Sequence, residues 1–238
     1  MLTLLIKQMI SVWITLAGAV AAMVVGPLDP SHRAFHWVAR TYSRLILRLF
    51  NVRLVVKGAE QIRPGQPYVY AANHASMFDI PAAVAGVPDR IHLIYKKELE
   101  RIPFFGWGLR LGRTYIAIER GKGIEAAKSL ERAIEKIRGG ASVLLFAEGT
   151  RTSDGKLQPF KRGAFNLAAR VGVPVVPLTI NGSYSVLPKR TFQVNPGTIE
   201  LIIEPPIPIP EAGNGKEREL VLMEEVRKAV ERNYVDQS

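Results

Sequence analysis

The sequence contains no cysteine. Disulfides, thiolate metal sites and cysteine nucleophiles are thereby excluded, so any nucleophilic chemistry comes from oxygen or nitrogen. Other patterns are missing as well. No G-x-S-x-G elbow presents a serine, GKGIEAAK lacks the spacing of a phosphate-binding P-loop, and GWGLRLG (Gly106–Gly112) misses the dinucleotide pattern by one residue. Acids are also scarce: 21 Asp and Glu oppose 32 Lys and Arg, for a formal net charge of +11. Such a balance suits anionic partners, whether phospholipid headgroups, phosphorylated small molecules or nucleic acid. The cations are not interleaved with exposed aromatic platforms, which argues against nucleic acid.

What is present begins with an apolar amino terminus. Met9–Gly26 (MISVWITLAGAVAAMVVG) has no ionisable side chain, and with Leu2–Ile6 it makes a helix of roughly 35 Å at about 1.5 Å per residue. That length suits either a helix crossing a bilayer or half of a hairpin sunk into one leaflet. A cleaved signal peptide is the competing reading, since AVAAM offers small residues, but Lys7 alone makes a thin n-region. After Gly26-Pro27 and a capping candidate, Ser31, the residues Phe35, Val38, Tyr42, Leu45 and Leu49 recur at helical spacing, with Arg33, Arg40, Arg44 and Arg48 on the opposite face. Such a pattern suits packing on a protein core with a solvated arginine face, but directly after an apolar helix it favours a lipid interface, arginines toward phosphates. His32 and His36 stand at metal-ligand spacing without an acidic or thiol partner in sequence, which favours an interfacial role. Up to Lys57, seven cations face the single acid Asp29, and arginine just after the apolar run favours a cytoplasmic position for the rest of the chain.

From residue 51 onward, branched apolar runs alternate with helical patterns. Strands are expected at Val52–Val56, Tyr68–Ala72, Ile91–Tyr95, Tyr115–Ile118, Val143–Phe146, Val175–Ile180 and Ile199–Ile203. Helices are expected at Phe78–Ala85, Gly123–Ile137, Arg162–Val171 and Lys216–Arg232. The alternation predicts an α/β fold, a layered domain over 51–238 with a largely parallel central sheet, preceded by a two-helix membrane-associating element over 1–50. In such sheets reactive groups gather beyond the carboxyl ends of strands. Two polar clusters occupy that position: NHASMFD (Asn73–Asp79) and AEGTR (Ala147–Arg151).

Their residue types suggest a division of labour. A neutral imidazole can take a proton from a hydroxyl as it attacks a carbonyl, and a carboxylate on the other ring nitrogen fixes the tautomer. His74 and Asp79 supply these groups if a helix opening near Phe78 returns Asp79 to the ring. Ser76, between Ala75 and Met77, carries no mark of a nucleophile, so direct attack by a substrate hydroxyl is expected. The guanidinium of Arg151 matches a phosphate, and Gly149 permits close backbone approach. Glu148 fits poorly beside a phosphate and is read as holding the loop, orienting Arg151 or bonding a substrate hydroxyl. Lys96, Lys97 and Arg120 are further cations near strand ends.

Taken in order, four blocks resemble the glycerolipid acyltransferases, and most closely the bacterial 1-acylglycerol-3-phosphate acyltransferases: NHASMFD, GRTYIAIER (Gly112–Arg120), FAEGTRT (Phe146–Thr152) and VPVVPLTI (Val173–Ile180). The third departs slightly, with Ala147 where proline is commonest in the family. The resemblance implies His74 as general base oriented by Asp79, and Arg120, Glu148, Gly149, Thr150 and Arg151 as the binding group for the acceptor's glycerol phosphate. It also implies lysophosphatidic acid as acceptor, acyl-coenzyme A or acyl carrier protein as thioester donor, no cofactor or metal, and a place at the cytoplasmic side of the inner membrane. Glycerol 3-phosphate, another lysophospholipid or a lyso-ornithine lipid are alternative acceptors for the same chemistry; a non-catalytic module binding anionic lipid is the rival of another class.

Overall fold

The computed structural model describes residues 2–112, 114–119 and 124–236. Seven strands form one sheet: β1 (Val52–Lys57), β2 (Val69–Ala72), β3 (Ile91–Lys96), β4 (Ile116–Ile118), β5 (Ser142–Phe146), β6 (Val175–Asn181) and β7 (Gly197–Ile203). Their order across the sheet is β1-β7-β6-β2-β5-β3-β4. Every neighbouring pair is parallel except β6 with β7, so β1 and β7 run against the other five. All seven expected strands are present, and the sheet is mostly parallel. The helices are α1 (Leu2–Leu28), α2 (Arg33–Leu49), α3 (Asp79–Gly86), α4 (Phe105–Gly112), α5 (Ile124–Arg138), α6 (Gly163–Val171), α7 (Ser183–Val186) and α8 (Gly215–Asn233).

Both faces of the sheet are covered, and the two-residue period of a strand assigns side chains between them. Tyr68, Tyr70 and Ala72 point into one core with Ile46, Leu47 and Phe50 of α2 and Ala82 and Ala83 of α3. Val69 and Ala71 point the other way, toward Ile134 and Ile137 of α5, Phe165 and Leu167 of α6, and Leu222 and Val226 of α8. Complete burial on both faces explains why these strands read as continuous apolar runs.

The amino-terminal helices pack on this domain through small residues. In α1 only Ala19, Ala22 and Gly26 are buried, while Leu5, Met9, Val12, Trp13, Val20 and Val24 are exposed. Among the described residues α1 is the one helix long and apolar enough to cross a membrane, and it fits a membrane-associating element. Its partner is α4, which the sequence reading left without structure: Gly106, Gly108 and Gly112 weaken helix propensity there. The glycines serve contact instead. A Cβ on Gly108 would lie 3.1 Å from the Cα of Ala19, one on Gly26 would lie 2.5 Å from the Cα of Gly112, and one on Gly112 would lie 2.4 Å from Phe35.

Three expectations for α2 need correction. Its apolar face does not lie at a lipid interface: Phe35 is buried, Val38 and Tyr42 border an apolar space inside the molecule and Leu49 packs on the core, leaving Leu45 of that face exposed. Ser31 does not carry the cap; Asp29 Oδ2 accepts the Ala34 N–H at 2.6 Å, and Ser31 donates to Asp29 Oδ1 at 2.5 Å. A carboxylate two residues upstream outcompetes the hydroxyl for the helix end. Nor is Arg40 a free cation: its guanidinium donates to the carbonyls of Val84, Val87 and Asp89, tying α2 to the end of α3. Arg33, Arg44 and Arg48 remain exposed, together with Trp37. Because the Phe35 ring fills the space beside Gly112, Gly112→Val should overpack the α1, α2 and α4 junction and cost about 1–3 kcal/mol, read as a lowered melting temperature of the full chain in detergent; an unchanged melting temperature would contradict the close approach.

Candidate active site

The site is built where β2 and β5 end side by side. The register pairs Ala72 with Phe146, and Ala147 N–H continues the ladder to the Ala72 carbonyl at 2.8 Å. His74 and Glu148 therefore stand two residues beyond one pairing. Three bonds lock the loops together: His74 N–H donates to Glu148 Oε1 at 2.8 Å, Thr152 N–H donates to the His74 carbonyl at 2.9 Å, and Lys161 N–H donates to the Ala147 carbonyl at 2.7 Å. On the other flank Asn73 acts as a surrogate peptide. Its Nδ2 donates to the Ile180 carbonyl at 2.9 Å while its Oδ1 accepts the Ile180 N–H at 2.7 Å, fixing the loop to β6. Sequence reasoning gave Asn73 no role; its complete burial within a polar motif is the physical requirement that the side chain satisfies.

Asp79 is the first residue of α3 and is fully buried. Its Oδ2 collects three N–H groups: His74 Nδ1 at 2.7 Å, Ala75 N at 2.7 Å and Ser76 N at 2.8 Å. A carboxylate can only accept, so Nδ1 carries the hydrogen and Nε2 is left with a lone pair. The opposite constraint comes from Phe146, whose ring stacks on the imidazole with centroids 3.8 Å apart and planes 13° from parallel. Ring plane, tautomer and backbone are thus each held by a separate contact. The His74 side chain is 14% exposed, enough to leave it accessible in a sheltered position. An imidazole so arranged can remove a proton from a hydroxyl at Nε2.

Ser76 is buried, with its hydroxyl donating to the Leu187 carbonyl at 2.9 Å and accepting the Phe78 N–H at 3.2 Å. The hydroxyl braces a loop. Glu148 also points inward, at 3% exposure, rather than toward bulk solvent. Burial pushes its carboxyl up to about 7, and its Oε2 is buried without a partner. Among the roles read for Glu148, holding the loop matches the geometry.

The remaining predicted site residues divide. Gly149 turns the chain at φ 73°, the left-handed region that glycine adopts without strain, with only the flexible Lys161 side chain beside it. Thr150 is exposed; Arg151 is half-buried, and Thr152, the residue after it, bonds the His74 backbone. Arg120 lies outside the described residues. Lys97 pairs with Glu119 at 2.5 Å. Sequence reasoning missed Lys189, whose ammonium donates to the Arg151 carbonyl at 2.7 Å and brings a second cation to this loop from 38 residues away. Only the tertiary fold makes it a neighbour. Among the described residues no group of His, Asp and Glu is arranged to hold a metal ion.

Behind Phe146 lies an almost wholly apolar cavity of about 170 Å³ between α1, α2, α4 and the sheet, walled by Ala19, Phe35, Tyr42, Tyr95 and Leu109 as well as Phe146 itself. Phe146 thus has one contact with the imidazole and another with the apolar space.

Comparison with known proteins follows the same lines. The family profile described as Acyltransferase matches residues 53–181, which hold His74, Asp79, Arg120, Glu148, Gly149, Thr150 and Arg151. The chain is 35% identical over 208 residues to a 1-acyl-sn-glycerol-3-phosphate acyltransferase of Pseudomonas aeruginosa, covering 85% of this chain and 77% of that one. It is 34% identical over 182 residues to the chloroplastic 1-acyl-sn-glycerol-3-phosphate acyltransferase BAT2 of Brassica napus, covering 75% of this chain and 52% of that one. Relative to BAT2 and the similar LPAT1 of Arabidopsis thaliana, the chain spans about half the length. Among solved structures, the 1-acyl-sn-glycerophosphate acyltransferase PlsC of Thermotoga maritima superposes with a TM-score of 0.78 at 26% identity, covering 97% of this chain and 95% of that one. With more than half of its length matched by the profile and a bacterial relative aligned over most of both chains, the protein belongs to the acyltransferase family.

Proposed function

We propose that the protein is a membrane-associated enzyme that transfers a fatty acyl group from a thioester to the free hydroxyl of 1-acylglycerol 3-phosphate, forming phosphatidic acid. The observation that carries this reading is the Asp79–His74 pair, with Nδ1 committed at 2.7 Å, beside a ring that also walls an apolar cavity. A base for the hydroxyl and a space for a hydrocarbon chain meet at one residue, Phe146. The names of the relatives supply the acceptor. The exposed apolar face of α1 and the arginines of α2 support attachment to a phospholipid surface, which we assign to the cytoplasmic side of the inner membrane.

In the proposed reaction His74 Nε2 takes the proton of the acceptor hydroxyl as its oxygen attacks the thioester carbonyl carbon. Asp79 stabilises the imidazolium that results. Collapse of the tetrahedral intermediate forms the ester, breaks the carbon–sulfur bond and returns the proton from imidazolium to the departing thiolate. No acyl-enzyme is needed, in keeping with the engaged hydroxyl of Ser76. The acyl donor is acyl-coenzyme A or acyl carrier protein, acting as a substrate, and no cofactor takes part. Arg151 is the proposed ligand of the acceptor phosphate, with Thr150, the Gly149 turn and Arg120 completing its surroundings and Lys189 adding positive charge. Glu148 acts one step back, holding the His74 peptide.

His74→Ala should fold as the parent does and lose about 10²–10⁴-fold or more in turnover when purified protein is assayed with labelled acyl-coenzyme A and lysophosphatidic acid; undiminished turnover would remove the imidazole from the chemistry. Arg151→Ala should chiefly raise the KM for the acceptor, and a parental KM would take the guanidinium out of the site. Glu148 generates a pH effect of definite sign. Its folded-state value of about 7 lies above the ordinary carboxyl value of 4.5, so its contribution is complete below pH 4.5 and is lost as pH rises through 7. Glu148→Gln, which keeps an oxygen for the His74 N–H, should flatten the decline in unfolding free energy between pH 5 and 7.5, a slope of up to about 1.4 kcal/mol per pH unit in the parent. Equal slopes in denaturant titrations of the two proteins would show that the carboxyl does not titrate there.

A further inference from the structure

At the opposite end of the sheet from His74, the loops entering β2, β3 and β5 and the first turns of α2 enclose a second, polar cavity of about 600 Å³. That volume lies in the range of small-molecule sites. Three of the chain's four histidines stand on its wall: His32, His36 and His92. Their rings touch edge to face, with centroids 5.0 Å apart for His36 and His92 and 6.0 Å for His32 and His92. Arg40, Arg90 and Lys136 join them, and the sole acid on the wall is Asp89. Asp89 is engaged: Oδ1 accepts the Arg90 N–H and Oδ2 accepts the Tyr70 hydroxyl at 3.1 Å. Asp29, in the loop before α2, is bound into the α2 cap.

The ring nitrogens are arranged in an unusual way for a packed histidine cluster. His92 is buried and donates Nδ1–H to the Ser142 carbonyl at 3.1 Å, which leaves Nε2 as the acceptor of the neutral ring. Thr114 donates its hydroxyl hydrogen to the Gly112 carbonyl and so accepts from His32 Nδ1 at 3.1 Å, again leaving Nε2 bare. His36 Nε2 is buried with no hydrogen-bond partner. A buried polar atom without a partner is costly and calls for a physical reason. Three imidazoles in contact, surrounded by cations, cannot all be protonated while the cavity is empty; burial and the neighbouring positive charges hold His36 at about 3 and His92 at about 4, and lower His32. An entering dianion reverses that balance. A phosphate monoester or sulfate dianion offers only acceptors, so an imidazole facing the cavity that gains a proton gains a partner as well, while His36, whose Nε2 is covered, senses the anion through its ring contact with His92.

We propose that this cavity binds a phosphate-bearing anion between His32, His36, His92, Arg90 and Lys136, and that binding is coupled to uptake of protons by the imidazoles. The recognised chemistry is a phosphate group with charge near −2, carried either by a lipid headgroup or by a free phosphate ester. The site is separate from the proposed acyl-transfer site and does not rest on that reading.

The four histidines make a direct readout. In the full chain in detergent, the imidazole carbon-bound protons of His32, His36 and His92 should shift together in NMR spectra on titration with inorganic phosphate, and should do so equally in Arg151→Ala, which removes the proposed acceptor-phosphate ligand beside His74. Sulfate, which stays a dianion throughout, should bind about tenfold more tightly for each unit of pH lowered between 7.5 and 6 for every proton taken up. Arg90→Gln, an exposed position outside the proposed catalytic group, should weaken sulfate at least tenfold while the His74 signal and acyl transfer stay parental. Phosphatidylcholine vesicles containing phosphatidic acid, whose headgroup is a phosphate monoester, identify the source: shifts of the same three signals, competed by inorganic phosphate, mark a lipid headgroup, and shifts with inorganic phosphate alone mark a free ester. The proposal is overturned if neither probe moves these signals at pH 6, if chloride at equal ionic strength moves them as far, if sulfate affinity does not change with pH, or if Arg90→Gln binds sulfate with parental affinity.

Discussion

One carboxylate oxygen organises the proposed centre. Asp79 Oδ2 receives the His74 imidazole N–H and the backbone N–H groups of Ala75 and Ser76, and it does so from complete burial at the start of α3. A buried carboxylate is tolerable only when it is hydrogen-bonded, and because Asp79 Oδ1 has no partner that compensation comes through Oδ2, so the six residues from His74 to Asp79 have little freedom to adopt another shape. The helix start adds favourable backbone dipoles. Local chain geometry thus sets which imidazole nitrogen is available before any substrate arrives.

The rest of the molecule keeps that arc in place. Parallel pairing of β2 with β5 puts Glu148 opposite His74, and Asn73 ties the same loop to β6, so three adjacent strands hold one residue. Phe146 closes one face of the ring and opens onto the apolar cavity built from α1, α2 and α4. This cavity depends on the close approach of α1 to α4 through Ala19, Gly26, Gly108 and Gly112. The amino-terminal helices therefore wall the apolar space as well as presenting Leu5, Trp13 and Trp37 outward.

Much of this was legible in the sequence, for identifiable reasons. Strands buried on both faces announce themselves as runs such as VVPLTI and SVLLF, and the His74–Asp79 spacing is a contact within one turn of chain. What was not legible depends on distant partners. Glu148 has the composition of a substrate ligand, and only the β2–β5 register shows its carboxylate turned inward to His74 N–H. The glycines of α4 disguised a helix because their value lies in what α1 places against them. Lys189 and Arg40 are set by loops and carbonyls far along the chain. His32 and His36 alone suggest an interfacial role, because His92, which joins them, lies 56 residues beyond His36 in sequence.

The central claim is that His74 is held with its hydrogen on Nδ1 and its lone pair on Nε2. Nitrogen-15 NMR of the imidazole in the full chain at neutral pH reads this directly. The account predicts a protonated Nδ1 and a bare Nε2 in the parent, with the preference lost in Asp79→Asn. A parent ring carrying its hydrogen on Nε2, or exchanging evenly between the two tautomers, would contradict it.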